Sequence, residues 1–141
     1  MSFKHPILGK KGWQSMALRV LYIEDERDML ELVRLILSRR DVEYFAATGG
    51  IQGLEKLGQV APDLVLLDLM MPDLSGWDVY DTMKRTPALH DIPVLIVTAR
   101  AQYEERLIQV RASANHDDYI LKPFGPSQLL EIIDRMIAKM S

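Results

Sequence analysis

A chain of 141 residues, 48% hydrophobic and 26% charged, has the make-up of one soluble domain around a single core. A net charge of −3 argues against a polyanion-binding surface, and the lack of cysteine excludes disulfides, thiolate metal sites and cysteine nucleophiles while fitting a reducing compartment. No apolar run is long enough to cross a bilayer and no secretory signal opens the chain, so a cytoplasmic protein with neither membrane nor nucleic-acid partner is expected.

Residues 1–16 hold three lysines, two glycines and a proline without sustained periodicity, and read as a flexible leader. An artificial origin for it, with Met16 as the natural start, stays open. Residues 17–141 read as the domain. "ALRVLYIED" is a short apolar strand ending in acids, and Glu26 to Arg40 is helical, with Met29, Leu32, Val33, Ile36 and Leu37 at three- and four-residue spacing. "VEYFAA" is a second strand. Gly49-Gly50 opens a second helix, "IQGLEKLGQV", which Gly53 and Gly58 weaken. "LVLLDL" is the third strand, Met71 to Gly76 a loop, and "WDVYDTMKR" the third helix. "VLIVTA" is the fourth strand, and Tyr103, Leu107, Val110 and Ala114 stripe the fourth helix. "DYILK" is the fifth strand, and Ser127 is the expected N-cap of a last helix carrying Leu129, Leu130, Ile133, Met136, Ile137 and Met140.

Strands one, three and four are almost wholly apolar, as a parallel sheet covered on both faces requires. Right-handed crossovers then give an open α/β domain, a flavodoxin-like doubly wound (βα)5 fold of strand order 2-1-3-4-5. Ligands of such sheets bind beyond the carboxyl ends of the strands. Strand one delivers Glu24, Asp25 and Glu26 there, strand three Asp68, strand four Thr98, and strand five Lys122 followed by Pro123. Neighbouring strands lie ~4.8 Å apart, so acids, a hydroxyl and an amine crowd one rim. Clustered carboxylates need a proton or a cation, and hard oxygen donors favour Mg²⁺ or Mn²⁺. A carboxylate that accepts a phosphoryl group, with metal and lysine offsetting charge, fits this set.

The pieces "YIEDE", "LLDLMMPDLSG", "VLIVTAR" and "DDYILKPF" resemble, in this order and at these separations, the receiver domain of two-component response regulators. The likeness spans Leu18 to about Met140. It implies that Asp68 takes phosphate from a sensor histidine kinase or phosphotransfer protein, and that Asp25, Asp68 and the Met70 backbone carbonyl hold the metal, with Glu24 acting through water. It implies further that Lys122 pairs with Asp68 or its phosphate before a cis Lys122–Pro123 bond. Thr98 closes on the phosphate and Tyr119 changes rotamer, switching the surface of the fourth helix, fifth strand and fifth helix toward a downstream protein target. A homodimer through that surface is a further expectation. Such a domain is not an enzyme beyond catalysing its own phosphorylation and dephosphorylation.

Where the family usually has Gly-Ala before "DDY", this chain has Asn115-His116, and asparagine is expected to take the left-handed turn. Met70 and Arg100, each two residues beyond a site residue, are expected to tune the rate. Met70 cannot orient a water, and Arg100 would lie over the phosphate, so self-dephosphorylation is expected to be slow. Trp77 and Met83 read as packing residues, and His5, His90 and His116 as surface histidines. The rivals are a constitutive pseudo-receiver, against which every principal position is intact, and a flavin carrier, whose phosphate loop "IEDERD" would repel. A haloacid-dehalogenase-like phosphatase would need an aspartate at position 70. With no output domain after the last helix, a stand-alone receiver is expected, excision from a larger regulator or hybrid kinase being the alternative.

Overall fold

The structure is a computed structural model that describes residues 17–99, 101–113 and 116–140. The leader, Arg100 and Ala114 of the expected fourth-helix stripe lie outside the described residues. Strands β1 (Leu18–Ile23), β2 (Val42–Ala47), β3 (Leu64–Asp68), β4 (Val94–Thr98) and β5 (Asp118–Leu121) alternate with helices α1 (Arg27–Leu37), α2 (Gly50–Val60), α3 (Gly76–Arg85), α4 (Glu104–Arg111) and α5 (Pro126–Ala138). All four pairings are parallel, and the order is β2-β1-β3-β4-β5. The flavodoxin-like (βα)5 expectation holds.

The apolar runs divide between two cores because successive strand residues face opposite sides of the sheet. Leu18, Val20, Tyr22, Leu64, Leu66, Leu95 and Val97 pack with Leu30, Val33 and Ile36 of α1 and Leu129 and Ile133 of α5. Leu21, Ile23, Val65, Leu67, Val94 and Ile96 pack on the other face with Leu57 of α2, Trp77 and Met83 of α3 and Leu107 of α4. Trp77 and Met83 are core residues, as expected. The Arg106 guanidinium lies 3.9 Å from the centre of the Trp77 ring, and Tyr80 and Tyr103 meet that ring edge-on.

Several boundaries differ from the sequence reading. The first helix ends at Leu37 rather than Arg40, because the turn through Ser38 and Arg40 must bring Val42 level with Leu18. Ser127 is not the N-cap of α5. Gly125 caps it, its N–H donating to the Gln128 side chain (2.9 Å), and Pro126 occupies the first helical position, where a missing N–H costs nothing. Asn115, expected to take the left-handed turn, lies outside the described residues; His116 after it has a φ of 63°.

An interaction of long sequence range secures the end of the sheet opposite the acidic rim. Buried Asp117 accepts from the Val94 N–H (2.8 Å) and the Tyr80 hydroxyl (2.7 Å) and pairs with the Lys84 ammonium (2.9 Å). Lys84 also donates to the carbonyls of His90 and Ile92. This network ties α3 and the α3–β4 connection to the start of β5, fixing the sheet edge that bears Lys122 at its far end.

Candidate functional site

Parallel pairing brings the carboxyl ends of β1, β3, β4 and β5 level, with Ile23 opposite Leu67, Asp68 opposite Val97 and Thr98 opposite Leu121. The residues just beyond these ends therefore converge. Glu24 continues β1 by donating its N–H to the Ala47 carbonyl, and Lys122 continues β5 by donating to the Thr98 carbonyl. Asp25, Glu26, Asp68, Met70, Ala99 and Lys122 line an open depression of ≈ 320 Å³. Thr98 is buried at the end of β4, beside it. The Lys122–Pro123 peptide bond is cis.

Three carboxylates meet here. Glu24, Asp25 and Asp68 each offer an oxygen within 4.8 Å of the others. Glu24 is 0% exposed and Asp68 is 4% exposed, so their charges are held out of water. The Lys122 ammonium lies 2.9 Å from Glu24 Oε1 and 3.5 Å from Asp68 Oδ1. One ammonium cannot neutralise three acids. Burial, followed by repulsion from Glu24, pushes the Asp68 carboxyl up to about 6, against the pull of Lys122 and of the Met70 N–H. Burial pulls the Lys122 ammonium down, but its hydrogen bond to Glu24 and the charge of Asp68 outweigh that and hold it above its usual range.

The donor set fits a divalent cation: hard oxygens only, an excess of negative charge, and an acid whose ionised form the surroundings disfavour. Asp25, Asp68 and Glu24 are the side chains available to hold one.

The strain of ionising Asp68 has a testable consequence. Because its folded-state value lies above the ordinary carboxylate value, the folded protein binds the proton more tightly than the unfolded chain. The resulting stability is present below about pH 4 and is lost as pH rises through about 6. The full displacement corresponds to about 3 kcal/mol, which screening at an open rim reduces to about 1–2 kcal/mol. In chelator-treated buffer at neutral pH, Asp68→Asn is expected to exceed the wild type in stability by that amount, with the gap closing below about pH 4. Urea midpoints across this range check it, and a constant gap would contradict it.

Of the other expected residues, Met70 is 45% exposed on the rim, and its sulfur lies 4.0 Å from the Tyr103 hydroxyl. Tyr119 is half-buried against the α2–α3–α4 core, with the Arg111 guanidinium 4.2 Å from its ring centre. Arg111 also pairs with Asp118 at 2.7 Å, tying α4 to β5. The N-cap of α1 is Glu26, whose side chain makes no capping hydrogen bond, and its N–H donates to Glu24 Oε2 (3.2 Å).

Two residues escaped the sequence reading. Asp73, read as loop, accepts from the N–H groups of Gly50 and Ile51 (3.1 Å each), tethering the β3–α3 connection to the start of α2. The available signal was a helix opening on Gly-Gly without a capping side chain of its own. Tyr22, read as a strand former, donates its hydroxyl to Glu24 Oε1 at 2.9 Å. Its position two residues before Glu24 puts both on one face of the extended chain.

Known proteins resemble this chain in sequence and fold. The family model described as response regulator receiver domain matches residues 20–134. The phosphate regulon transcriptional regulatory protein PhoB of Klebsiella pneumoniae is 36% identical over 126 residues, 89% of this chain and 54% of the relative. The crystal structure of the N-terminal domain of a response regulator receiver protein from Methanoculleus marisnigri is 35% identical with a TM-score of 0.67, covering 85% of this chain and 96% of that one. Response regulator protein TrrA of Thermotoga maritima, solved in complex with Mg(2+)-BeF, is 28% identical with a TM-score of 0.73, covering 84% of this chain and 98% of that one. The chain spans about half the length of the curated relatives it matches. Among the described residues no helix is long and apolar enough to cross a membrane.

Proposed function

The chain belongs to the response regulator receiver domain family of two-component signalling, and from that premise we propose that it is a phosphorylation switch with Asp68 as phosphoacceptor. The observation that carries this reading is the convergence of Asp68 with Glu24, Asp25 and the Lys122 ammonium at one open depression. The Mg(2+)-BeF complex of the Thermotoga relative supports it.

In the reaction an ionised oxygen of Asp68 attacks the phosphorus of a phosphohistidine on a sensor histidine kinase or phosphotransfer protein. The P–N bond breaks, its electron pair stays with the imidazole, and the donor histidine takes up a proton. Mg²⁺ or Mn²⁺, when bound, supplies positive charge against the carboxylates and the phosphoryl oxygens. Asp25, Asp68 and the Met70 carbonyl would hold it, with Glu24 acting through water. The Lys122 ammonium offsets charge on an equatorial phosphoryl oxygen, and the Thr98 hydroxyl donates to another. Buried placement of Asp68 limits its access to water, and Met70 offers no polar group to orient a hydrolytic one. Slow self-dephosphorylation is part of the proposal, with Arg100 as its second determinant.

Tyr119 is the proposed relay, since it packs half-buried against the core on the α2–α3–α4 face and its ring centre lies 4.2 Å from the Arg111 guanidinium. A change of its rotamer would alter the face of α4, β5 and α5, where Ile108 and Leu121 are exposed. We place the downstream target, or a second copy of the chain, on that face. The domain catalyses only its own phosphorylation and dephosphorylation.

Incubation with acetyl phosphate is expected to add one phosphoryl group by intact mass. The label should require Mg²⁺, map to Asp68, and be absent from Asp68→Asn. A label on another residue, or none on the wild type at saturating Mg²⁺, would overturn the proposal.

A further inference from the structure

Glu24 is 0% exposed, yet its carboxylate is fully engaged: Oε1 accepts from both the Lys122 ammonium (2.9 Å) and the Tyr22 hydroxyl (2.9 Å), and Oε2 accepts from the Glu26 N–H (3.2 Å). The phosphoacceptor reading asks Lys122 to serve the phosphoryl group, although at rest it lies nearer to Glu24 than to Asp68. As the ammonium moves, Glu24 loses the charged hydrogen bond that it makes with Lys122 at rest. An unpaired buried carboxylate is strongly disfavoured. The direct donors that remain are the Tyr22 hydroxyl on Oε1 and the Glu26 N–H on Oε2.

We propose that Tyr22 is a positioning residue whose buried hydroxyl keeps Glu24 in place and partnered while Lys122 passes to the phosphoryl group on Asp68. This inference rests on the phosphoacceptor reading. Tyr22 is suited to the task by its setting. It is 0% exposed in the middle of the sheet, its backbone aligned with Ala46 of β2 on one side and Leu66 of β3 on the other. Its ring is enclosed in the α1–α5 core, so the phenol has a fixed direction. Tyr22 thus supplies a neutral, immobile hydrogen bond that complements the mobile, charged one from Lys122.

The test compares the wild type with Tyr22→Phe and Tyr44→Phe. Each variant loses one oxygen. The Tyr44 hydroxyl donates to the Leu30 carbonyl and touches none of the acids, so it controls for loss of a tyrosine hydroxyl from the same core. Circular dichroism establishes that both variants are folded before they are used. With acetyl phosphate at saturating Mg²⁺, Tyr22→Phe is expected to label roughly tenfold more slowly than the wild type, and Tyr44→Phe at the wild-type rate. Calorimetric titration with Mg²⁺ alone supplies a readout independent of phosphorylation, in which Tyr22→Phe is expected to bind about tenfold more weakly. Slow labelling with unchanged Mg²⁺ affinity also supports the inference and assigns the loss to the transfer step. Labelling of Tyr22→Phe at the wild-type rate, or equal slowing of both variants, overturns it. A wild type that takes no label overturns the phosphoacceptor reading and this inference together, whereas a labelled wild type matched by Tyr22→Phe overturns the inference alone.

Discussion

Lys122→Ala is expected to bind Mg²⁺ more tightly than the wild type and yet to take up a phosphoryl group roughly 10²–10³-fold more slowly. The two effects have opposite signs because the ammonium plays opposite parts in the two states. At rest it lies 2.9 Å from Glu24 and 3.5 Å from Asp68, where it competes with a divalent cation for the same carboxylates. A pair of unit charges ~4 Å apart interacts by about 4 kcal/mol at an effective dielectric near 20, so removing the ammonium deepens the negative potential that attracts the cation. During transfer the same ammonium offsets charge on the phosphoryl oxygens, and alanine provides nothing in its place. Titration calorimetry and a labelling time course by intact mass measure the two quantities on one preparation. A misfolded variant would lose both, so tighter Mg²⁺ binding is the internal control for folding. Labelling at the wild-type rate would remove Lys122 from the mechanism.

Gly76→Ala is expected to lower the free energy of unfolding by about 3 kcal/mol or more and to disable the site in whatever fraction folds. A Cβ added at Gly76 would lie 2.0 Å from the Asp68 carbonyl oxygen and 2.6 Å from the Leu69 Cα. Both are backbone atoms of the segment that carries the acceptor, and neither can rotate away. The first turn of α3 would have to withdraw from the end of β3, breaking the Gly76 N–H to Leu69 carbonyl bond of 3.0 Å. The requirement is for space, since the φ of Gly76 is not among the positive ones. Gly58→Ala is the matched comparison. A Cβ there meets nothing within 4 Å, and the position is inside α2, so the change is expected to add about 0.5–1 kcal/mol through helix propensity. Urea denaturation of the two variants should therefore move in opposite directions. A neutral Gly76→Ala would mean that α3 does not depend on its close approach to β3.

The site depends on a few contacts of this kind, and they were unequally legible in the sequence. The apolar character of "LVLLD" and "VLIVT" implied strands buried on both faces, and the structure buries every residue of both. Strand order followed from connection rules, and the rim residues followed from the order. Glu24, Asp25, Asp68 and Lys122 were named in that way, and they do meet. Local hydrogen-bond detail was less secure. Ser127 was read as the last helix's cap because serine is a good one, but Pro126 already has a helical place and Gln128 reaches back to Gly125.

What the sequence alone determined is the fold class and the gathering of acids, because each strand's burial and its last residue are properties of a short stretch of chain. Only the tertiary structure decided which atoms share a partner. Lys122 sits closer to Glu24 than to Asp68, the Tyr22 hydroxyl completes Glu24, Asp73 holds the first turn of α2, and Asp117 joins Tyr80 and Lys84 from 37 and 33 residues away. Periodicity is a local signal carried by neighbours in sequence. The direction of a buried side chain is set by packing from every side at once, and no local pattern encodes it.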